Sequence, residues 1–532
     1  MAVRISRRSF IAGAAGAAAL TALRCGDDDI SVPSRSTPTM GAVKRGDMFK
    51  LATTLSPLSI DPHTDVTMGL ALICFLYGYL LHPSQPPEEE PTLVFDHAEA
   101  LEQPDDLTFI FKMRPGVHFQ NLPPANGREI TAEDALYSFQ RISSLQSTPF
   151  WTEGISRMSA PDAFTFKVSV ASPYAYTMEE FGGIRTAIVP REAVEEFGDL
   201  KTHGLGSGPF QLPNLNRGDT VDMLRNPDYY VEGIPYVDGM RWRVMADDAS
   251  IMAAFKSRQL DTYGPPSTLQ ADDVASFSDQ ILVSKYPNLA ITMINLNEIK
   301  APILQDIRIR EALDLSLDRD AMIEKICFGD GNYTGPVSWG LDFWSLPQDE
   351  LRRFYKRDVA KARQLLAGAG AEDLTLAMKF PAGPTSDVAA MIKDQAAEAG
   401  ITINLVSEEF GTWLADMMAN NYELLVGGGL PYGNEHLPLQ FNHTKNWTRK
   451  AEPVQPPDPE VDAILDKILV TTDLSERQKL TLDVTRKILA RHGPFMYLYA
   501  PYSFTARWDY LRGYEDLVPD MLPYTYKMWL DK

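Results

Sequence analysis

The side chains through which a 532-residue chain could do covalent or metal chemistry are thinly spread here. Gly204-Leu205-Gly206-Ser207-Gly208 sets Ser207 one residue off the G-x-S-x-G spacing of a nucleophile elbow, and Pro209 occupies the start of any following helix. His436 and His443 stand seven residues apart with no clustered cysteine or acid, a poor metal pair. There is no H-E-x-x-H, no C-x-x-C and no glycine-rich loop ending in Lys-Ser or Lys-Thr. A Ser-His-Asp set assembled by folding stays open as the enzymatic alternative. Of three cysteines, Cys74 and Cys327 lie in apolar helical contexts. One disulfide is formally possible in an oxidising compartment, but small buried hydrophobes are the better reading.

Binding chemistry needs elements to position it, and Leu107 to Ile142 shows them most clearly. Phe109, Phe111 and Met113 fall on one side of a strand, Ile110 and Lys112 on the other. Arg114-Pro115-Gly116 turns the chain and Val117-His118-Phe119 restarts it. Thr131 to Asp134 reads as a capping box, followed by Leu136, Phe139 and Ile142 on one helix face. Downstream, Asp306 is a helix N-cap ahead of a stripe at Ile309, Leu313 and Leu317. Ala362, Leu365, Leu366 and Ala369 form another stripe that Gly370 ends. Met68 to Leu81 reads as a buried helix. Strands alternate with helices throughout, which argues for α/β layers.

The same residues carry a resemblance. LTFIFKMRPGVHFQ…GREITAEDALYSFQRI (residues 107–142) resembles the signature of family 5 extracellular solute-binding proteins, the oligopeptide and dipeptide receptors of ABC importers. It departs from that signature at Ala135, usually Val, and in a longer Asn121 to Gly127 loop. Further blocks extend the likeness over nearly the whole mature chain. They are Gly206-Ser-Gly-Pro-Phe210, Arg225-Asn-Pro-Asp-Tyr-Tyr230, Ala253 to Asp261, Asn295-Leu-Asn297, Asp306 to Leu313, Ser316 to Arg319 and Ala360 to Gly370. Arg258 stands where that family usually has glycine. Each block also has an architectural reading through its caps, turns and buried stripes. They identify the family rather than the solute.

The resemblance implies an α/β, periplasmic-binding-protein-like type II fold with two lobes, a hinge and an additional small domain. Lobe I is expected from residues 45–79 with 185–285 and 501–532, the small domain from 80–184, and lobe II from 286–500. It implies no enzymatic activity, no cofactor and no metal. It implies a solute, a peptide by family frequency, passed to the transmembrane subunits of an ABC permease. An oligosaccharide, opine or metal chelate is the alternative within this fold, and a periplasmic hydrolase the alternative of another class. Two segments would line the cleft: Val66, Thr67 and Met68 after the Asp61-Pro62-His63 turn, and Gly427 to Glu435, including Gly429, Leu430, Pro431, Tyr432, Asn434 and Glu435. Peptide receptors of the family commonly place an aspartate at the end of the second segment, against the ligand's amine. Here Tyr432 or Asn434 stands at that place, depending on register, and Glu435 is the nearby acid. It could turn inward as the anchor or sit solvated on the loop. Trp413, Trp339, Trp344 and Trp447 are aromatic candidates for stacking on a solute, with core packing as the commoner role.

The N-terminus fits export. Ser6-Arg7-Arg8-Ser9-Phe10-Ile11 matches the twin-arginine pattern, and the apolar run to Leu23 is too short and glycine-rich for a comfortable membrane span. Residues 1–25 therefore read as a signal for the twin-arginine export machinery and residues 26–44 as a flexible tether. The expected location is the periplasm or cell envelope. Cys25 sits where a lipid-anchored cysteine would, although Arg24 before it is too large for that signal. A formal charge of −21 repels phosphate backbones, so nucleic acid is not an expected partner.

Overall fold

A computed structural model describes residues 43–54, 56–64, 70–84, 92–145, 154–215, 218–428, 434–445, 453–514 and 527–532. No helix among them is long and apolar enough to cross a membrane. The export motif, Cys25 and the tether up to residue 42 lie outside the described residues, as do Val66, Thr67, Met68, Gly429, Leu430, Pro431, Tyr432 and Trp447.

Thr108–Met113 forms a strand whose Phe109, Phe111 and Met113 are buried, as the alternation predicts. It lies between Ala98–Asp105 and Thr165–Val170 in a four-stranded antiparallel sheet completed by Ile155–Asp162. Helix Ala132–Ser144 packs its Ala135, Phe139 and Ile142 inward, and Ala135 is fully buried where valine's extra bulk would have to be fitted. The Thr131 amide donates to the Asp134 carboxylate at 2.9 Å. Arg128 donates to both oxygens of that carboxylate, at 2.9 and 2.6 Å, tying the helix start to the loop before it.

A second sheet joins distant parts of the chain. Met48–Thr53 pairs in parallel with Gly239–Val244, which continues antiparallel to Thr220–Arg225 and then Phe210–Gln211. Its core is continuous with that of the antiparallel sheet: Phe49, Met223 and Met240 belong to the same buried cluster as Phe111, Phe139 and Phe166. The third sheet has eight strands, with Phe495–Trp508, Thr292–Leu296, Leu424–Gly428, Thr375–Pro381 and Thr402–Glu408 side by side. One strand of it belongs to two cores. The first part of Phe495–Trp508 pairs with Thr292–Leu296, while Tyr502 to Trp508 pair with Ile281–Pro287. Met496 and Leu498 accordingly lie in one core, and Ala506 and Trp508 in the other. Two chain crossings, residues 288–291 and 500–501, therefore connect the two bodies.

One sequence expectation changes in detail. The apolar run from Met68 to Leu81 is not one helix: Leu70–Leu76 is helical, and the chain then extends, bridging Gly78 to Ile188. A Cβ at Gly78 would lie 2.1 Å from His97 Nε2, so the backbone there runs against a side chain that a continuing helix would displace. Arg258, in the place where glycine is usual, does adopt a left-handed φ of 60°. Its guanidinium lies 4.2 Å from the Trp508 ring centroid, a cation–π contact that offsets the backbone strain.

The Asp61-Pro62-His63 turn is fixed by a buried ion pair. Arg141, on the helix of the antiparallel-sheet unit, donates to Asp61 Oδ1 at 2.9 Å and Oδ2 at 2.5 Å. The Leu200 amide donates to Oδ2 as well, at 3.2 Å. Burial raises the Asp61 pKa, but Arg141 outweighs it and the carboxyl stays below its ordinary range. His63 Nε2 donates to the Ala187 carbonyl at 2.9 Å, leaving Nδ1 to accept from Arg141 at 2.8 Å. Burial, then Arg141, depresses His63 to about 4, so it stays neutral. This cluster fixes the chain at residues 61–63. Arg141→Met should lower stability by about 3–5 kcal/mol, as expected when one partner of a buried pair is removed. Urea unfolding followed by tryptophan fluorescence reads this, and a change below about 1 kcal/mol, typical of an exposed pair, would contradict it.

Candidate functional site

Strand Leu424–Gly428 leads into the second predicted solute segment from the middle of the eight-stranded sheet, between Thr292–Leu296 and Thr375–Pro381. Gly427 is required by packing, since a Cβ there would lie 2.4 Å from Trp413 Cζ2. Trp413 itself is 5% exposed among Tyr422, Leu425 and Val454, so the structure places this predicted solute residue in a small core. Phe410, one turn earlier on the same helix, is 47% exposed with its ring 5.7 Å from that of Trp413. Sequence reasoning passed over it; its only signal is an aromatic just after the capping Glu409. Of the other tryptophans, Trp344 is buried and Trp339 is half-buried, its Nε1 donating to the Ala500 carbonyl at 3.1 Å.

Beyond residue 433 the chain enters helix His436–Gln440, and here the body containing residues 286–500 meets residues 174–181. These residues follow the last strand of the antiparallel sheet. Phe181 is fixed in that sheet's core, against Phe111 at 4.8 Å and Phe139 at 5.5 Å. Tyr176, five residues earlier, is buried in the opposite body with Leu289, Trp344, Leu465 and Ile488. The Ala175 amide donates to the Leu469 carbonyl at 2.7 Å.

Polar groups line the rest of the junction. Tyr176 donates its hydroxyl to Glu435 at 2.6 Å and stacks on His436 at 4.3 Å. Tyr174 donates to Glu180 at 2.7 Å and so accepts from His436 Nε2 at 3.1 Å, which makes Nε2 the protonated nitrogen. Asn434 donates to Glu179 at 3.3 Å. Arg477 Nε lies 3.3 Å from Glu435, with the guanidinium 4.9 Å from the Tyr176 ring and 5.2 Å from that of Trp344.

Of the two alternatives for Glu435, the side chain turns inward: it is 1% exposed rather than solvated, accepting from Tyr176 with Arg477 beside it. Burial pushes its pKa up against the pull of Arg477. Glu179 goes further: burial, then the Glu435 charge, push it up to about 8, only partly opposed by Arg477 and Asn434. His436 is held neutral, burial and then Arg477 depressing it to about 3.

The reading of Ser207 as a nucleophile finds no support in its own surroundings. Ser207 Oγ does meet His97 Nε2 at 2.9 Å, the contact a nucleophile and its base would make. Both residues are sealed, at 2% and 1% exposure, and His97 Nδ1 has no hydrogen-bond partner. The adjacent Asp96 instead accepts from the Tyr79 amide at 2.8 Å and the Tyr230 hydroxyl at 2.5 Å. A triad needs that acid on Nδ1 and a path for substrate. No group of three or more His, Cys, Asp or Glu among the described residues could hold a metal ion. Cys74 and Cys327 are free thiols. A depression of about 840 Å³ beside Arg128, Tyr137, Arg141 and Lys201 draws its lining from residues 61–201 alone, so it does not lie between the two bodies.

Comparison with known proteins agrees with this architecture. Residues 92–447 match the description "Bacterial extracellular solute-binding proteins, family 5 Middle". The chain belongs to that family. It is 23% identical over 497 residues to the oligopeptide-binding protein AppA of Bacillus subtilis, covering 86% of each chain. Among solved structures it resembles the Helicobacter pylori periplasmic binding protein DppA in complex with peptide STSA, with TM-score 0.80 and 20% identity over 92% of this chain and 99% of that one. It also resembles AgaA of A. tumefaciens in complex with agropinic acid, with TM-score 0.79 and 20% identity over 91% and 99%. The fold is therefore the type II binding-protein architecture expected from the motifs.

Two outcomes follow from the junction. Tyr176→Phe leaves Glu435 one hydrogen bond short and should destabilise the protein by about 1–3 kcal/mol, measured by chemical denaturation. The raised Glu179 pKa contributes stability that is complete below its ordinary value near 4.5 and lost as pH rises through about 8. Thermal melts from about pH 5 to about pH 9 should therefore fall more steeply for the wild type than for Glu179→Gln. Parallel profiles would show that Glu179 titrates normally.

Proposed function

We propose that this protein is the solute-binding component of an ABC importer, that it captures a peptide between its two bodies, and that it delivers the peptide to a membrane permease without chemical change. The observation that carries the reading is the family match over residues 92–447, joined to a fold shared with a receptor solved around a peptide. Peptide receptors can hold a ligand through backbone strands and so accept varied side chains. The strand Leu424–Gly428 running into residues 429–433 supplies such an edge of the cleft in this reading, with Val66, Thr67 and Met68 opposite. Lobe I then comprises residues 45–79, 185–285 and 501–532, the small domain 80–184 and lobe II 286–500. The continuous pairing of Met48–Thr53 with Gly239–Val244, and the split allegiance of Phe495–Trp508, support those limits.

A second reading keeps the fold and changes the solute to an opine or other small organic acid. It is favoured by the neutral Tyr432 and Asn434 where an aspartate would face an amine, and by the likeness to a receptor holding agropinic acid. Thermal-shift assays with peptide and opine panels separate the two. A ligand at a hundred times its Kd should add about 2.7 kcal/mol of stability. Mass spectra of the mixture should show that ligand unaltered. Stabilisation by no member, or cleavage of any, would contradict the transport reading.

Export by the twin-arginine route belongs to the same proposal. Replacing Arg7 and Arg8 by Lys should hold the protein in the cytoplasm, and Cys25→Ser should leave export intact. Fractionation and immunoblotting read both, and normal export of the double-lysine variant would contradict this route.

A further inference from the structure

The segment from Tyr174 to Phe181 spans the two bodies. Phe181 packs in the core of the antiparallel sheet, whereas Tyr176 is buried in the opposite body, where the Ala175 amide donates to the Leu469 carbonyl at 2.7 Å. Making this contact sets Glu179, on helix Thr177–Phe181, against Asn434, whose side-chain amide donates to it at 3.3 Å. Glu435 is the next residue of the chain, so two carboxyl groups, one from each body, come to the same junction. One cation serves them. Arg477 lies 3.3 Å from Glu435, and its Nε makes no hydrogen bond. Among the described residues, Glu179 has no ion-pair partner.

We propose that this contact is a proton-operated latch: Glu179 takes up a proton from solvent as the two bodies meet, and the contact loosens when that proton is lost. The latch belongs to the two bodies themselves and works the same way whatever solute the cleft takes.

Apart from the opposite body, Glu179 faces water and ionises in the ordinary carboxylate range. Joined to it, an ionised Glu179 stands half-buried near the Glu435 charge with only a neutral amide to answer it. Two carboxylates sharing a site push one of them toward the protonated form. The surrounding groups leave that demand on Glu179. On its own segment, burial keeps the Tyr174 and Tyr176 hydroxyls uncharged, and Glu180 is engaged by Tyr174. Across the junction His436 is neutral, and Arg477 stays with Glu435 and the rings of Tyr176 and Trp344. On helix Pro459–Val470, Asp466 meets His443 and Lys467 pairs with Glu476. Strand Leu81–Ser84 also packs against the helix of Glu179 and has His82 as its titratable residue. Burial, then Glu435, raise Glu179 to about 8 in the joined state. The contact is therefore fully supported below the ordinary value of 4.5 and loses that support as pH rises through about 8.

Hydrogen exchange reads the latch, because the Ala175 amide makes its bond to Leu469 only while the bodies are joined. The full-length protein is labelled without added solute, and rates are corrected for intrinsic exchange at each pH. Protection of residues 174–181 should fall at least about tenfold between about pH 6 and about pH 8.5, while strand Thr108–Met113 stays constant. Glu179→Gln can still meet Asn434 but carries no charge, so its protection should stay level across that range. A fall that persists in Glu179→Gln assigns the titration to another group, His82 among them, and overturns the proposal. Wild-type protection that does not change with pH overturns it as well. Should Glu179→Gln not fold, the wild-type profile decides. Protection should keep falling to about pH 8, and a fall complete by about pH 7, as for a histidine titrating near about 6.5, overturns the latch.

Discussion

Among the described residues, Arg477 is the only cation within the buried groups where residues 174–181 meet residues 434–441, and the junction is organised around it. A buried guanidinium needs a carboxylate and further hydrogen-bond acceptors, because losing either partner strands a charge out of water. Glu435 provides the carboxylate, Tyr176 steadies Glu435, and the rings of Tyr176 and Trp344 cover the guanidinium. Glu435 is thereby taken up, while the buried Arg477 Nε, although 3.3 Å from Glu435, makes no hydrogen bond of its own.

The same contact has a mechanical side. The two bodies are linked by residues 288–291 and by the passage of Phe495–Trp508 from one sheet to the next. A pair of adjacent crossings permits hinge motion between rigid cores, as packed interiors move as units rather than deforming. The segment from Tyr174 to Phe181 adds a third tie, with Tyr176 in one core and Phe181 in the other. Separating the bodies must either withdraw Tyr176 from beside Leu289 and Trp344 or bend the short helix Thr177–Phe181.

Much of the fold was legible because it rests on local rules. Alternation exposed the strand at Phe109 to Met113, the Asp306 and Gly370 signals marked helix ends, and the order of the blocks pointed to the family. The limits of the Met68–Leu81 helix were not legible, since Gly78 ends it through its contact with His97, nineteen residues on. The site was less legible than the fold. Glu435 stands next to a predicted solute segment, and nothing local says that Arg477, forty-two residues later, claims it. Glu179 lies in Tyr176-Thr-Met-Glu-Glu-Phe181, which reads alone as a short amphipathic turn. Its contact with Asn434 comes from some 255 positions away. Ser207 shows the reverse hazard: folding does bring it a histidine, but in a sealed place.

The central claim is that this protein captures a peptide between its two bodies and releases it chemically unaltered. It is tested most directly by releasing and identifying the small molecule that co-purifies with the folded protein, using native mass spectrometry followed by denaturation. The account predicts a stoichiometric, unmodified solute with a free primary amine, lost when excess trialanine is added. A solute that is anionic or neutral and lacks an amine, retained undiminished under the same challenge, would contradict it.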